Sequence, residues 1–360
     1  MDSRERIIET LNFKVPDRVP IFESSFWPAT IERWHREGLP DAIRESYQIH
    51  EYLGMDMVCF ISFFDESPGL KGKILAETED YIISTSSYGC VIKYWKGEGR
   101  YSTPQHMDFP VKSEVEWFEY KKRLVAGEEK LLSGVEKTID FVRRAGGFVF
   151  LSQREPCWPI LCDVMGFSRG LATMYKNPEL FDDMLKTFTT QLIEMCKIIE
   201  EKGMDYDGVY LRGDLCYKNG MLFSPRIYDS LLYRYHKRIC DFFKKRSKPV
   251  VHHCDGNVTQ YIPLIVKAGF TGIEPLEARA GNDVRELKKK WNGKIVLLGN
   301  ISVEALSSTK KEIENEVLSK LSVAKEGGGY VFKSDHSVPP TVSLENYSYA
   351  VELAKKHGKY

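Results

Sequence analysis

KPVVHHCDGN (248–257) is a short apolar run ending in polar residues, and it passes directly into the helix-length stretch VTQYIPLIVKAGF (258–270). TGIEPLE (271–277), KIVLLGN (294–300) and GGYVFKSDH (328–336) continue the alternation, and GFVFLSQ (147–153) and DGVYLRGD (207–214) begin it. Short buried runs separated by helical stretches mark βα units and a parallel sheet. Two earlier runs, RVPIFES (18–24) and MVCFISFF (57–64), bring the strands to eight. This predicts an α/β chain folded as one (β/α)8 TIM barrel over residues 1–360. A doubly wound sheet would need a glycine-rich turn after its first strand, and no GxGxxG occurs.

Composition narrows the functional classes. With 42% hydrophobic and 28% charged residues the chain can bury a core, which excludes a disordered or collagen-like protein. Lys and Arg number 51 against 51 Asp and Glu, so no basic excess exists to attract a phosphate backbone, and nucleic acid is not expected as a partner. No run of 18 apolar residues occurs, and MDSRERIIETLNF (1–13) reads as a charged amphipathic helix rather than a signal peptide. A cytoplasmic location without a membrane partner is expected. The 8 cysteines form no CxxC and sit mostly in apolar runs, so reduced thiols are expected.

Residues 73–97 alternate apolar and polar positions around Ser86–Ser87–Tyr88–Gly89, which predicts an inserted antiparallel hairpin. In the second βα connection it would either shape a substrate pocket over the barrel mouth or cap the barrel edge.

Barrel chemistry collects at the carboxyl ends of the strands. Those ends carry Glu23, Gln153, Arg154, Glu155, Arg212, Asp214, His253, Asp255, Glu274, Glu277, Asn300, Asp335 and His336. His253 and Asp255 lie two apart, so strand alternation aims both the same way while His252 and Cys254 face the opposite side. Glu277 or Glu274 on the next strand and His336 on the last could complete a nitrogen and oxygen set for Zn²⁺ or another first-row divalent ion. The other reading is a metal-free, hydrogen-bonded His253–Asp255 pair. Asp214 and Glu155 are candidates for catalysis, by proton transfer or substrate positioning. Arg154 and Arg212 could clamp a substrate carboxylate or pair with barrel carboxylates. Glu23 and the aromatics Phe26 and Trp27 of FWPATIERW (26–34) could line the pocket, although core packing is the simpler role of that stretch. His35, His50, His106, His236 and His357 are expected as solvated side chains without partners.

The chain resembles the uroporphyrinogen decarboxylase superfamily of single (β/α)8 barrels, which includes corrinoid-dependent methyltransferases. The resemblance is carried by RERIIETLNFKVPDRVPIFE (4–23), LFSPRIYDSLLYRYHKRI (222–239), VVHHCDGN (250–257), GIEPLEARAGNDVRELKKKW (272–291), LLGNIS (297–302) and GGGYVFKSDHSVPPTVSLENY (327–347). In the decarboxylases paired arginines near the amino terminus grip the tetrapyrrole carboxylates; here that place reads IFESSFWPATIERW (21–34), which argues against uroporphyrinogen as substrate. In the methyltransferase branch zinc is held by an HxC pattern and a later cysteine, and the matching positions are His253, Asp255 and His336. A distant relative, cobalamin-independent methionine synthase, adds a glutamate that falls on Glu277 by spacing. With Asp255 and His336 at both thiolate positions, the centre would be harder and more Lewis-acidic, or the metal would be gone.

The resemblance therefore implies a metal-dependent methyltransferase that acts on a small-molecule methyl donor or acceptor. Its corrinoid would come from a separate corrinoid protein, because no DxHxxG loop occurs. The alternatives are a uroporphyrinogen decarboxylase or related carboxy-lyase and a non-catalytic ligand-binding barrel. A homodimer is left open.

Overall fold

The computed structural model describes residues 1–96 and 104–360. Strand β1 (Val58–Ser62) is followed by an antiparallel group, β2 (Ile74–Glu77), β3 (Tyr81–Thr85), β4 (Val91–Trp95) and β5 (Gln105–Asp108), and the parallel series resumes with β6 (Phe148–Arg154) and β7 (Gly208–Arg212). A two-stranded ribbon, β8 (Cys216–Tyr217) and β9 (Gly220–Met221), precedes β10 (Val250–His253), β11 (Gly272–Glu274), β12 (Val296–Leu298) and β13 (Tyr330–Val331). Seven of these form one sheet in the order β1-β6-β7-β10-β11-β12-β13, and every pairing in it is parallel. Helices such as Pro178–Glu201, Tyr233–Lys244, Ile262–Ala268, Lys310–Ala324 and Leu344–His357 alternate with the strands. The result is an α/β, TIM-barrel-like fold.

The expected first strand, 18–24, is reduced to two isolated bridges, a parallel one between Ile21 and Phe332 beside β13 and an antiparallel one between Arg18 and Lys359. Pro20 has no N–H to extend a ladder, although its carbonyl accepts from Phe332 N at 2.9 Å. On its other side the segment is held by Asp56, whose backbone N–H donates to Ile21 O at 2.7 Å and whose buried carboxylate accepts from Ile21 N at 2.7 Å. Arg6 and Arg18 both pair with that carboxylate.

Alternation divides the apolar residues into two bodies. Phe22, Val58, Phe148, Phe150, Tyr210, Val251, Val296, Leu298 and Val331 pack together on one face of the sheet, and a larger cluster fills the space between strands and helices. At their carboxyl ends, β7 and β10 turn Arg212 and His253 to the same side as Tyr210 and Val251.

Residues 73–96 hold three strands where a single hairpin is expected. β2 pairs with β3, β3 with β4 about residues 86–90, and β5 adds a further edge. Gly97, the end of the expected hairpin, lies outside the described residues.

Four histidines expected in solvent without partners have them: His35 Nδ1 lies 3.1 Å from Leu39 O, His50 and His236 are buried, and His106 is partly exposed. His50 accepts from Glu23 N at 3.1 Å, His236 lies buried between Glu155 and Tyr228, and His106 stands 3.4 Å from Asp163. For His50, His106 and His236 the partners Glu23, Asp163 and Glu155 come from distant parts of the chain.

Candidate functional site

Register builds the site. Arg212 on β7 pairs with His253 on β10, and His253 pairs with Glu274 on β11. Glu274, fully buried, accepts from His253 Nδ1 at 2.5 Å with one oxygen and pairs with the Lys333 ammonium through the other. With the carboxylate held by Lys333, the imidazole proton is assigned to Nδ1, and the Nε2 lone pair is left for the barrel mouth. Burial, with Lys333, Arg212 and His336 adding to it, pushes the His253 pKa down to about 3, so this ring is neutral at physiological pH.

Beyond the strand ends, His253 Nε2 stands 3.6 Å from Asp214 Oδ1 and 3.9 Å from Asp255 Oδ2. His336 Nε2 reaches the same Asp255 oxygen at 3.8 Å. These separations exceed hydrogen-bond lengths. Zinc bonds of about 2.0–2.1 Å place tetrahedral nitrogen and oxygen co-ligands about 3.3 Å apart, so Asp214, His253 and Asp255, whose donor atoms lie within 4.8 Å of one another, would draw closer around a cation. Asp255 Oδ1 is buried with no hydrogen-bond partner. Burial and the neighbouring Asp214 charge push the Asp255 pKa up to about 7, and burial also raises Asp214. Facing carboxylates, neutral imidazole and an orphaned oxygen fit a divalent metal ion.

Local chain geometry holds these donors. Asp255 N donates to Asp214 Oδ1 at 2.9 Å, which ties the two strand ends together. Gly256 follows at φ +89°, and a Cβ there would meet Tyr217 N at 2.6 Å, so the DGN turn needs glycine to let β8 approach.

The structure separates the two glutamates that the sequence leaves as alternatives. Glu274 points inward and orients His253. Glu277 accepts from Gly256 N at 3.0 Å and pairs with Arg279 at 2.9 Å, which puts it beside the cluster instead of among its nearest donors. It lines a neighbouring cavity of about 520 Å³ with Trp27, Arg279, Asp335 and His336.

Other expected site residues are engaged elsewhere. Glu155 is buried against His236 Nε2 at 2.8 Å and caps Cys157 N. Glu23 is buried under Ser334 and Tyr347, and burial pushes its pKa up to about 7. Phe26 packs edge-on against Trp34 and Tyr347. Arg154 is paired with Glu66 and with Asp163. Arg212 differs: it reaches solvent in the mouth, and among the described residues it has neither hydrogen bond nor ion pair. Sequence reasoning missed Asp214 as a cluster donor and Lys333 altogether; the available signal was their parity with Arg212 and with Val331.

A TIM-barrel-like α/β fold with imidazole and carboxylate groups converging at its strand ends is the build of a barrel enzyme. The uroporphyrinogen decarboxylase (URO-D) family model matches residues 82–357, and the chain belongs to this family. A uroporphyrinogen decarboxylase of Legionella pneumophila (strain Lens) is 26% identical over 207 residues, covering 54% of this chain and 55% of that protein, so the match spans about half the relative's length. One from Hydrogenovibrio crunogenus is 22% identical over 296 residues, covering 78% of each chain. Among solved structures, a methyltransferase from Methanosarcina mazei shares the fold with TM-score 0.68 and 16% identity over 99% of both chains. No helix among the described residues is long and apolar enough to cross a membrane.

Proposed function

We propose that this chain is a metal-dependent methyltransferase that moves a methyl group between a small substrate and a corrinoid carried by a separate protein. The carrying observation is the cluster of Asp214, His253 and Asp255, in which His253 Nε2 stands 3.6 and 3.9 Å from the two carboxylates, with His336 beside it at 3.8 Å from Asp255. Zinc or another first-row divalent ion held there would supply Lewis acidity, polarising a methoxy oxygen or lowering the pKa of a bound thiol.

The chain's own residues do the rest. Glu274 and Lys333 fix the His253 ring. The cavity along Trp27, Glu277 and His336 takes the body of the substrate. Arg212, with neither hydrogen bond nor ion pair among the described residues, receives an anionic group. The antiparallel sheet, tied to the barrel at Tyr88 and Cys90, shapes the rim over which a corrinoid protein docks.

A carboxy-lyase acting on a small carboxylate is the second reading, and the free Arg212 guanidinium favours it. The relatives named above carry a decarboxylase name, while the amino-terminal segment 21–34 lacks the paired arginines of a tetrapyrrole grip. The test is methyl transfer from methoxy, methylamine or thiol compounds, with and without corrinoid protein and before and after metal removal. Transfer that needs both metal and corrinoid protein supports the first reading. Turnover of a carboxylated substrate by the protein alone, with no methyl transfer in any pairing, replaces it with the second.

A further inference from the structure

Cys90, His106 and Asp163 come from three separate elements: the turn before β4, strand β5, and the helical segment that follows β6. Their donor atoms nevertheless gather within 4.8 Å of one another, apart from the mouth cluster. Asp163 Oδ1 lies 3.5 Å from Cys90 Sγ and 3.4 Å from His106 Nε2. The second distance is longer than the usual range, about 2.7–3.2 Å, of an N–H···O hydrogen bond. Zinc bond lengths of about 2.0–2.1 Å to nitrogen or oxygen and about 2.3 Å to sulfur place tetrahedral co-ligands about 3.3 Å (N···O) and about 3.5 Å (S···O) apart. Without metal Cys90 donates a weak S–H hydrogen bond to Asp163 Oδ1, and the two separations also match those of co-ligands around one ion.

The surroundings suit the same role. Arg154 donates to Asp163 Oδ2 at 2.5 Å, which orients the carboxylate and leaves Oδ1 facing Cys90 and His106. Ser86 Oγ lies 3.0 Å from Cys90 Sγ, placed to donate to a thiolate. The His106 ring is parallel to Phe109 with centroids 6.2 Å apart. Arg154 is also paired with Glu66, so the metal-free group with a neutral thiol and imidazole carries one net negative charge. A divalent ion with a Cys90 thiolate brings it to neutrality. His106 is partly exposed, so an ion can reach the group from solvent.

We propose that Cys90, His106 and Asp163 form a second divalent-metal site, suited to zinc, that ties the antiparallel sheet to the barrel. On binding, the Cys90 S–H proton is released to solvent as the Sγ–metal bond forms; no oxidant or reductant takes part. The proposal is independent of the methyltransferase reading, because the two sites share no ligand.

The experiment uses the full chain loaded with Zn²⁺ or Co²⁺, and the discriminating feature is sulfur, which the mouth cluster lacks. Cobalt-loaded protein is expected to show a near-ultraviolet thiolate-to-cobalt charge-transfer band that Cys90→Ser abolishes. Zinc content is expected to fall by about one equivalent in Cys90→Ser and in His106→Ala, whatever the mouth site holds. Circular dichroism establishes that each variant is folded, and His106→Ala serves if Cys90→Ser is not. No charge-transfer band in the cobalt-loaded parent, a band that survives Cys90→Ser, or unchanged zinc content in a folded variant overturns the site. Loss of metal only in mouth variants such as Asp255→Asn also counts against it and leaves the methyltransferase reading intact.

Discussion

His253 and Glu274 stand side by side on paired strands, and the buried carboxylate holds the imidazole Nδ1 at 2.5 Å. The contact decides which nitrogen is available at the mouth. A ring free to flip would present either nitrogen to Asp214 and Asp255; this one presents Nε2.

Glu274→Gln therefore weakens metal binding about 10- to 100-fold, the usual cost of losing an outer-shell carboxylate on a ligating histidine. It also leaves the Lys333 ammonium buried without its counter-charge, which lowers unfolding free energy by about 3–5 kcal/mol. Chelator competition and urea titration measure the two effects. Unaltered metal affinity in the folded variant would remove Glu274 from the site.

Asp255 gives stability a pH dependence in the metal-free protein. Its pKa is pushed up to about 7 from an ordinary 3.8, so between those values the folded chain holds a proton that the unfolded chain has released. The contribution is fully present below pH 3.8 and is lost as pH rises through about 7. Asp255→Asn removes the loss: at about pH 8 without metal the variant melts a few degrees above the parent, yet it no longer binds metal. Glu23, also pushed up to about 7, adds a slope of the same sign that the variant keeps. A variant that melts lower than the metal-free parent at pH 8 contradicts this account.

Asp56 anchors the irregular first segment. Its fully buried carboxylate accepts from Ile21 N and pairs with Arg6 and Arg18. Asp56→Ala leaves these charges partly uncompensated and is expected to cost about 3–5 kcal/mol in urea unfolding. A loss under about 1 kcal/mol would mean that Asp17, the second partner of Arg6, suffices.

The βα alternation and the convergence of His253 with Asp255 were legible because each follows from local periodicity. What lay beyond reach was long-range pairing. Glu274 and Glu277 are equally near in sequence to the next strand's end, and only the His253–Glu274 register tells which one turns inward. Arg154 and Arg212 look alike as strand-end arginines; the Glu66 partner that separates them lies 88 residues from Arg154. His236 reads as a helical surface residue until Glu155, 81 residues away, is placed against it. Pro20 was visible, and its missing N–H could have warned that 18–24 would not form a regular strand.

That difference between the arginines gives the last prediction. Arg154→Ala strips Glu66 and Asp163 of their common cation and is expected to destabilise the fold by about 3–5 kcal/mol. Arg212→Ala removes no partner. Its guanidinium already sits where burial in the walls of the mouth holds its pKa below the ordinary value, with Glu66 opposing and Arg154 adding to the effect. Urea stability should then change by no more than about 0.5 kcal/mol. If Arg212 receives a substrate carboxylate, the lost charge-assisted hydrogen bonds cost about 1.5–3 kcal/mol, or roughly 10- to 150-fold in KM for a carboxylated substrate. An uncharged methoxy analogue of the same size should be affected little. The paired measurement is KM for the charged and neutral compounds in the parent and Arg212→Ala proteins. Equal loss for both compounds, or destabilisation matching that of Arg154→Ala, would show that Arg212 supports the barrel and does not recognise an anion.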